Sequence, residues 1–131
     1  MGLQVKLKLE HKKIELVSYN HDEDLTKKYY SFLIHHYKED NRINQHIPEL
    51  KRLLSFDNPF FNFATIKNFV AINDSEILGH VSAIKDKRLN EVGVIGFYDC
   101  VNDIQISNLL LDNAVKYLRD NNCSIIRGPI N

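Results

Sequence analysis

The sequence predicts one α/β (α+β) domain spanning residues 1-131, with a mixed, mostly antiparallel sheet flanked by helices. Three observations predict it. The first residues alternate apolar and polar; two later stretches carry apolar residues at spacings of three and four; and between them lie apolar runs separated by turn formers. The length suits one core that buries roughly two thirds of the unfolded surface.

Leu3, Val5, Leu7 and Leu9 alternate with polar residues, and Ile14, Leu16 and Val17 follow a charged turn over 10–13, which predicts two antiparallel strands. The polar cluster 21–24 can cap a helix whose apolar face is Leu25, Tyr29, Phe32, Leu33 and Tyr37. Pro48 suits the first turn of a second, shorter helix with Leu50, Leu53 and Leu54 buried, and Asp57-Asn58-Pro59 stops that helix. Residues 69–72 and 77–84 flank Asn73-Asp74-Ser75-Glu76 as a hairpin. A third run, 92–98, carries Gly93 and Gly96, which a strand interior avoids unless there is a bulge or a close backbone approach. Then come a helix with Ile106, Leu109, Leu110, Asn113, Ala114 and Tyr117 on one side, a left-handed end at Asn121-Asn122, and a short strand, 124–127, stopped by Gly128-Pro129.

Charge narrows the function classes. Lys plus Arg number 17 and Asp plus Glu 17, so the chain lacks the basic footprint of a nucleic-acid binder. No window holds the roughly 18 apolar residues of a membrane span, and the first residues do not form a signal peptide, so a cytoplasmic location is expected. Cys100 and Cys123 match no zinc or redox spacing and read as two buried thiols. The adjacent His35 and His36 face different directions on a helix, so no metal is expected.

The order of elements, with the segments Glu76-Ile77-Leu78-Gly79-His80-Val81, Asn58-Pro59-Phe60-Phe61, Gly96-Phe97-Tyr98-Asp99-Cys100 and Arg127-Gly128-Pro129-Ile130-Asn131, resembles the GNAT superfamily of acetyl-CoA-dependent N-acetyltransferases, in a divergent bacterial branch. The resemblance implies acetyl-CoA or CoA as cofactor and a small-molecule amine as acceptor. It implies that 94–98 is the strand whose backbone orients the thioester, and that the turn before the last helix holds the cofactor pyrophosphate. The candidate cofactor contacts are then Val94, Gly96, Tyr98, Gln105 and Ser107. Candidate catalytic groups are Tyr98 and Asp99 at the end of that strand and His80 on its neighbour.

Two departures from the family pattern shape the expectation. The family turn reads Arg/Gln-x-x-Gly-x-Gly/Ala, and those positions fall on Asn102, Asp103, Ile104, Gln105, Ile106 and Ser107, with both glycines and the basic residue replaced. Asp103 would repel a phosphate about 4 Å away by on the order of 1 to 4 kcal/mol, and suits the helix start instead. Secondly, the chain resembles the family fold only through its fifth core strand, without the C-terminal helix and hairpin. An exposed last strand follows, so a homodimer through that sheet edge is expected, the other reading being a fragment. Three functions remain open: acetyl transfer to an amine, a non-catalytic binding module, and a domain that only dimerises.

Overall fold

The computed structural model describes residues 4–9 and 12–130. Leu3, Glu10, His11 and Asn131, which enter the expectations above, lie outside the described residues. The chain forms strands β1 (Gln4–Leu9) and β2 (Lys12–Tyr19), helices α1 (Glu23–His36) and α2 (Ile43–Leu54), a 3-10 turn (Pro59–Asn62), strands β3 (Ala64–Asn73), β4 (Glu76–Asp86) and β5 (Val92–Cys100), helix α3 (Ile104–Asp120) and strand β6 (Ile125–Ile130). The sheet runs β1-β2-β3-β4-β5-β6. Neighbours are antiparallel except β5 and β6, which are parallel and joined by α3.

Each face of the sheet has its own core. On one, Ile106, Leu110, Ala114 and Leu118 of α3 pack on Leu16, Phe69, Val81, Ala83 and Ile95. On the other, Leu25, Tyr29 and Leu33 of α1 and Ile43, Ile47 and Leu50 of α2 cover Val17, Val70 and Ile77. The deepest row of α3 is therefore 106–110–114–118. Leu109 and Tyr117 flank it at partial burial, and Asn113 turns its amide back to the Leu109 carbonyl at 2.7 Å.

Asp22 caps α1 by accepting from the Leu25 N–H, and Asn122 ends α3 with φ of 68°. The β3–β4 turn falls on Asp74-Ser75, with Asp74 at φ of 51°.

Two expectations are corrected. Helix α2 starts at Ile43, so Pro48 lies inside it rather than in its first turn. Its missing N–H forfeits one helical bond, and the helix persists because Ile43, Ile47 and Leu50 lie on one buried face. Strand β6 runs through Gly128-Pro129 to Ile130 instead of stopping there. Gly128 makes this continuation possible: its φ is 135°, and a Cβ there would collide with the Ile95 carbonyl. A proline without an N–H is tolerated because β6 is an edge strand. This is the edge on which the homodimer expectation rests, and it exposes Ile125 and Ile130.

Leu110 is fully buried at the centre of the α3 face. Replacing it with Ala is expected to cost about 2–5 kcal/mol, read as a lower urea midpoint with an unchanged denaturant slope.

Candidate functional site

The site is built on a bulge in β5. His80 of β4 pairs with Asp99, and Ser82 pairs with Gly96, so Phe97 and Tyr98 together oppose the single residue Val81. Phe97 takes the left-handed conformation, φ 48°, the signature of a bulge whose first residue is more often glycine. The extra residue shifts the alternation. Ile95 faces α3, and a regular strand would put Asp99 on that face too; after the bulge Tyr98 and Cys100 pack on the α3 side, while Asp99 meets α1.

Asp99 is held by two phenols, Tyr29 of α1 and Tyr37 directly after that helix. Tyr29 donates to its Oδ2 and Tyr37 to its Oδ1, each at 2.7 Å. Burial, followed by the charge of Asp99 and the hydrogen bond to it, raises the pKa of Tyr29; burial and the same hydrogen bond raise that of Tyr37. Both phenols are therefore protonated donors near neutral pH, and the carboxylate keeps lone pairs for a further partner. Among the described residues no Lys, Arg or His forms an ion pair with Asp99.

His80 supports this arrangement from below. It is fully buried, its ring stacks on Tyr29 with centroids 3.8 Å apart and planes 11° apart, and its Nδ1 lies 2.7 Å from the Phe97 carbonyl. A carbonyl can only accept, so Nδ1 carries the proton, and Nε2 is left as a buried ring nitrogen with no hydrogen-bond partner among the described residues. Burial lowers its pKa from 6.5 to about 4.

Beside Asp99 opens a cavity of about 350 Å³, walled by Tyr29, Tyr37, Ile43, Leu50, Leu53 and Phe97, with His46, Asp40 and Arg42 also lining it. That size falls in the range of small-molecule sites. A larger groove of about 970 Å³ runs between the start of α1 and the end of α2, bordered by Tyr19, Tyr30, Lys51 and Phe56. None of the sequence-predicted site residues lines it, and the smaller cavity is the one that reaches the bulge and Asp99.

The other predicted residues divide by face and by strand. Tyr98, on the α3 side, hydrogen-bonds the Ser107 hydroxyl at 2.6 Å, which ties the end of β5 to the first turn of α3. Val94 and Gly96 lie within the β5–β6 ladder, paired with Arg127 and Ile130, and a Cβ on Gly96 would come 2.9 Å from the Ile130 carbonyl. The described β5–β6 ladder runs from the Val92–Ile125 pair to the Gly96–Ile130 pair. Gln105 is exposed, and its N–H donates to Asp103 Oδ1 at 2.9 Å, as does that of Ile106 at 3.4 Å. The start of α3 is thus filled by its own carboxylate and does not fit a pyrophosphate.

Sequence reasoning missed Tyr29 and Tyr37 as site residues and placed both in the helix core. The available signal was the hydroxyl itself: a buried tyrosine on an apolar face needs a polar partner. Cys123 is buried as expected, whereas Cys100 is half-buried, and burial pushes its thiol pKa up to about 11. Among the described residues no group of three His, Cys, Asp or Glu side chains could hold a metal, and no helix is long and apolar enough to cross a membrane.

His80 carries a pH prediction. Its folded pKa lies below the unfolded value of 6.5, so the unfolded chain binds the proton more readily, and the stability present above pH 6.5 declines as pH falls toward 4. The expected loss is up to about 3 kcal/mol. Urea midpoints measured from pH 7 to 4 should fall along this limb, and His80→Gln should flatten it.

No family model matches the sequence, and no curated protein is similar to it. Solved structures are similar in shape. A GNAT-family acetyltransferase from Staphylococcus aureus Mu50 superimposes with a TM-score of 0.58 at 14% identity, covering 85% of this chain and 71% of that one. An aminoglycoside acetyltransferase from an uncultured soil metagenomic sample, solved in complex with sisomicin, gives 0.59 at 12% identity over 90% of this chain and 78% of that one. A transcriptional regulator from Bacillus halodurans C-125 gives 0.57 at 13% identity, covering 88% and 82%. The bulged β5, the parallel β5–β6 pair and the crossing α3 are thus set in a known architecture: this chain has the fold of the GNAT-family acetyltransferases.

Proposed function

We propose that the protein binds a protonated amine at Asp99 and transfers an acetyl group to it from acetyl-CoA. The observation that carries this reading is a carboxylate with no ion partner among the described residues, aligned by two phenols, on the wall of a cavity beside the β5 bulge. Support comes from the acetyltransferases that share the fold, one of which is named for aminoglycosides, themselves amines.

Each group has a definable task. Asp99 attracts the ammonium, orients its nitrogen and accepts the proton that must leave before the nitrogen can attack. Tyr29 and Tyr37 hold the carboxylate in one orientation, and His80 fixes Tyr29 by stacking. Acetyl-CoA, when bound, supplies the activated acetyl group. Its pyrophosphate gains nothing at the start of α3, where Asp103 occupies the N–H groups of Gln105 and Ile106.

That self-capped helix is the specific observation behind a second reading, a non-catalytic amine-binding module on the same fold. Calorimetry with CoA and an assay of acetyl transfer separate the two. For transfer, Asp99→Asn should lower the rate at least about 100-fold with CoA affinity unchanged. Asp103→Gly should strengthen CoA binding by roughly fivefold or more, as relief of about 1 kcal/mol implies. Absence of CoA binding at millimolar concentration in both the parent chain and Asp103→Gly would overturn transfer, and amine binding alone would then identify a binding module.

A further inference from the structure

Resting on the reading that Asp99 takes an ammonium group, we propose that the ligand is a small monoamine with one apolar, ring-sized substituent. Volume sets the scale. A cavity of about 150 Å³ accepts a benzene ring, so the cavity of about 350 Å³ has room for a ring and a short arm reaching Asp99. The wall chemistry agrees: Ile43, Leu50, Leu53 and Phe97 provide apolar surface along the way.

The charges around the cavity exclude two neighbouring classes. A polyamine would need a second carboxylate, and Asp40 is the other one in the lining. It is already engaged by Arg42, whose Nε lies 2.9 Å from Oδ1 and whose terminal nitrogen lies 2.8 Å from Oδ2. The same pairing withdraws the Arg42 guanidinium from the carboxylate of an amino acid, and burial of an unpaired ligand charge against apolar wall is costly. One net anionic point remains, Asp99, facing an apolar space.

The test is calorimetry on the intact chain at neutral pH, without CoA, using phenethylamine, ethylamine, spermidine, phenylalanine and 2-phenylethanol. Phenethylamine is expected to bind at least tenfold more tightly than each of the other four, and Asp99→Asn to reduce its affinity at least tenfold. Should that variant fail to fold, 2-phenylethanol on the parent chain tests the same charge. Equal or tighter binding of spermidine, phenylalanine or ethylamine would overturn the apolar-monoamine inference while leaving amine binding at Asp99 intact. Equal binding of 2-phenylethanol, or no binding by any amine, would overturn the Asp99 reading and this inference with it.

Discussion

The hydrogen bond from His80 Nδ1 to the Phe97 carbonyl is the interaction on which the site depends. A phenylalanine in the left-handed region costs on the order of 1–2 kcal/mol relative to a regular strand, and the bulge turns its carbonyl out of the ladder. A buried carbonyl without a donor would add a further penalty of about 1–3 kcal/mol. His80 removes that penalty at 2.7 Å, and accepts in exchange an unpartnered Nε2 and a depressed pKa. The consequence is topological. With the bulge in place, Asp99 changes faces and reaches the phenols of Tyr29 and Tyr37; in a regular strand it would be driven into the α3 core.

A second polar arrangement lies in the next row across the same face. Ser82 donates to Asn68 Oδ1 at 2.5 Å, and Asn68 donates to the Asn20 carbonyl at 3.0 Å. Asn68 and Ser82 are both buried, and each meets the other's need, as low-dielectric surroundings demand. The α1 face of the sheet therefore carries polar side chains at Asn68, His80 and Ser82 beside apolar ones at Val17, Val70 and Ile77. Helix α1 brings Tyr29 onto this face, where its hydroxyl donates to Asp99 Oδ2 at 2.7 Å.

Much of the fold was legible because periodicity reports burial. The three-and-four spacing on α1 and α3 follows from one-sided packing, which a single sequence displays directly, and the turn formers at 73–76 mark a chain reversal. Pro48 misled because propensity argues locally, while α2 is held by apolar residues on both sides of the proline. Gly93 and Gly96 signalled an irregular strand, yet the left-handed residue is Phe97, which carries no such signature. His80 and Asp99 were singled out separately, and their pairing across β4 and β5 depends on a register that no residue type announces. Tyr29 and Tyr37 are 70 and 62 residues from Asp99 in the chain, so their role is a product of tertiary structure alone.

The two carboxylates that flank the β5–α3 turn illustrate how the same group takes opposite roles. Asp103 accepts from the N–H groups at the start of α3, so the helix dipole and its orphan donors are satisfied within the chain. Asp99, four residues earlier, accepts from two phenols, which orient it without neutralising it. One carboxylate closes the place where an anion would dock; the other keeps a negative charge facing a cavity. Under the proposed reading these two carboxylates favour a cation on the α1 side and disfavour an anion at the start of α3.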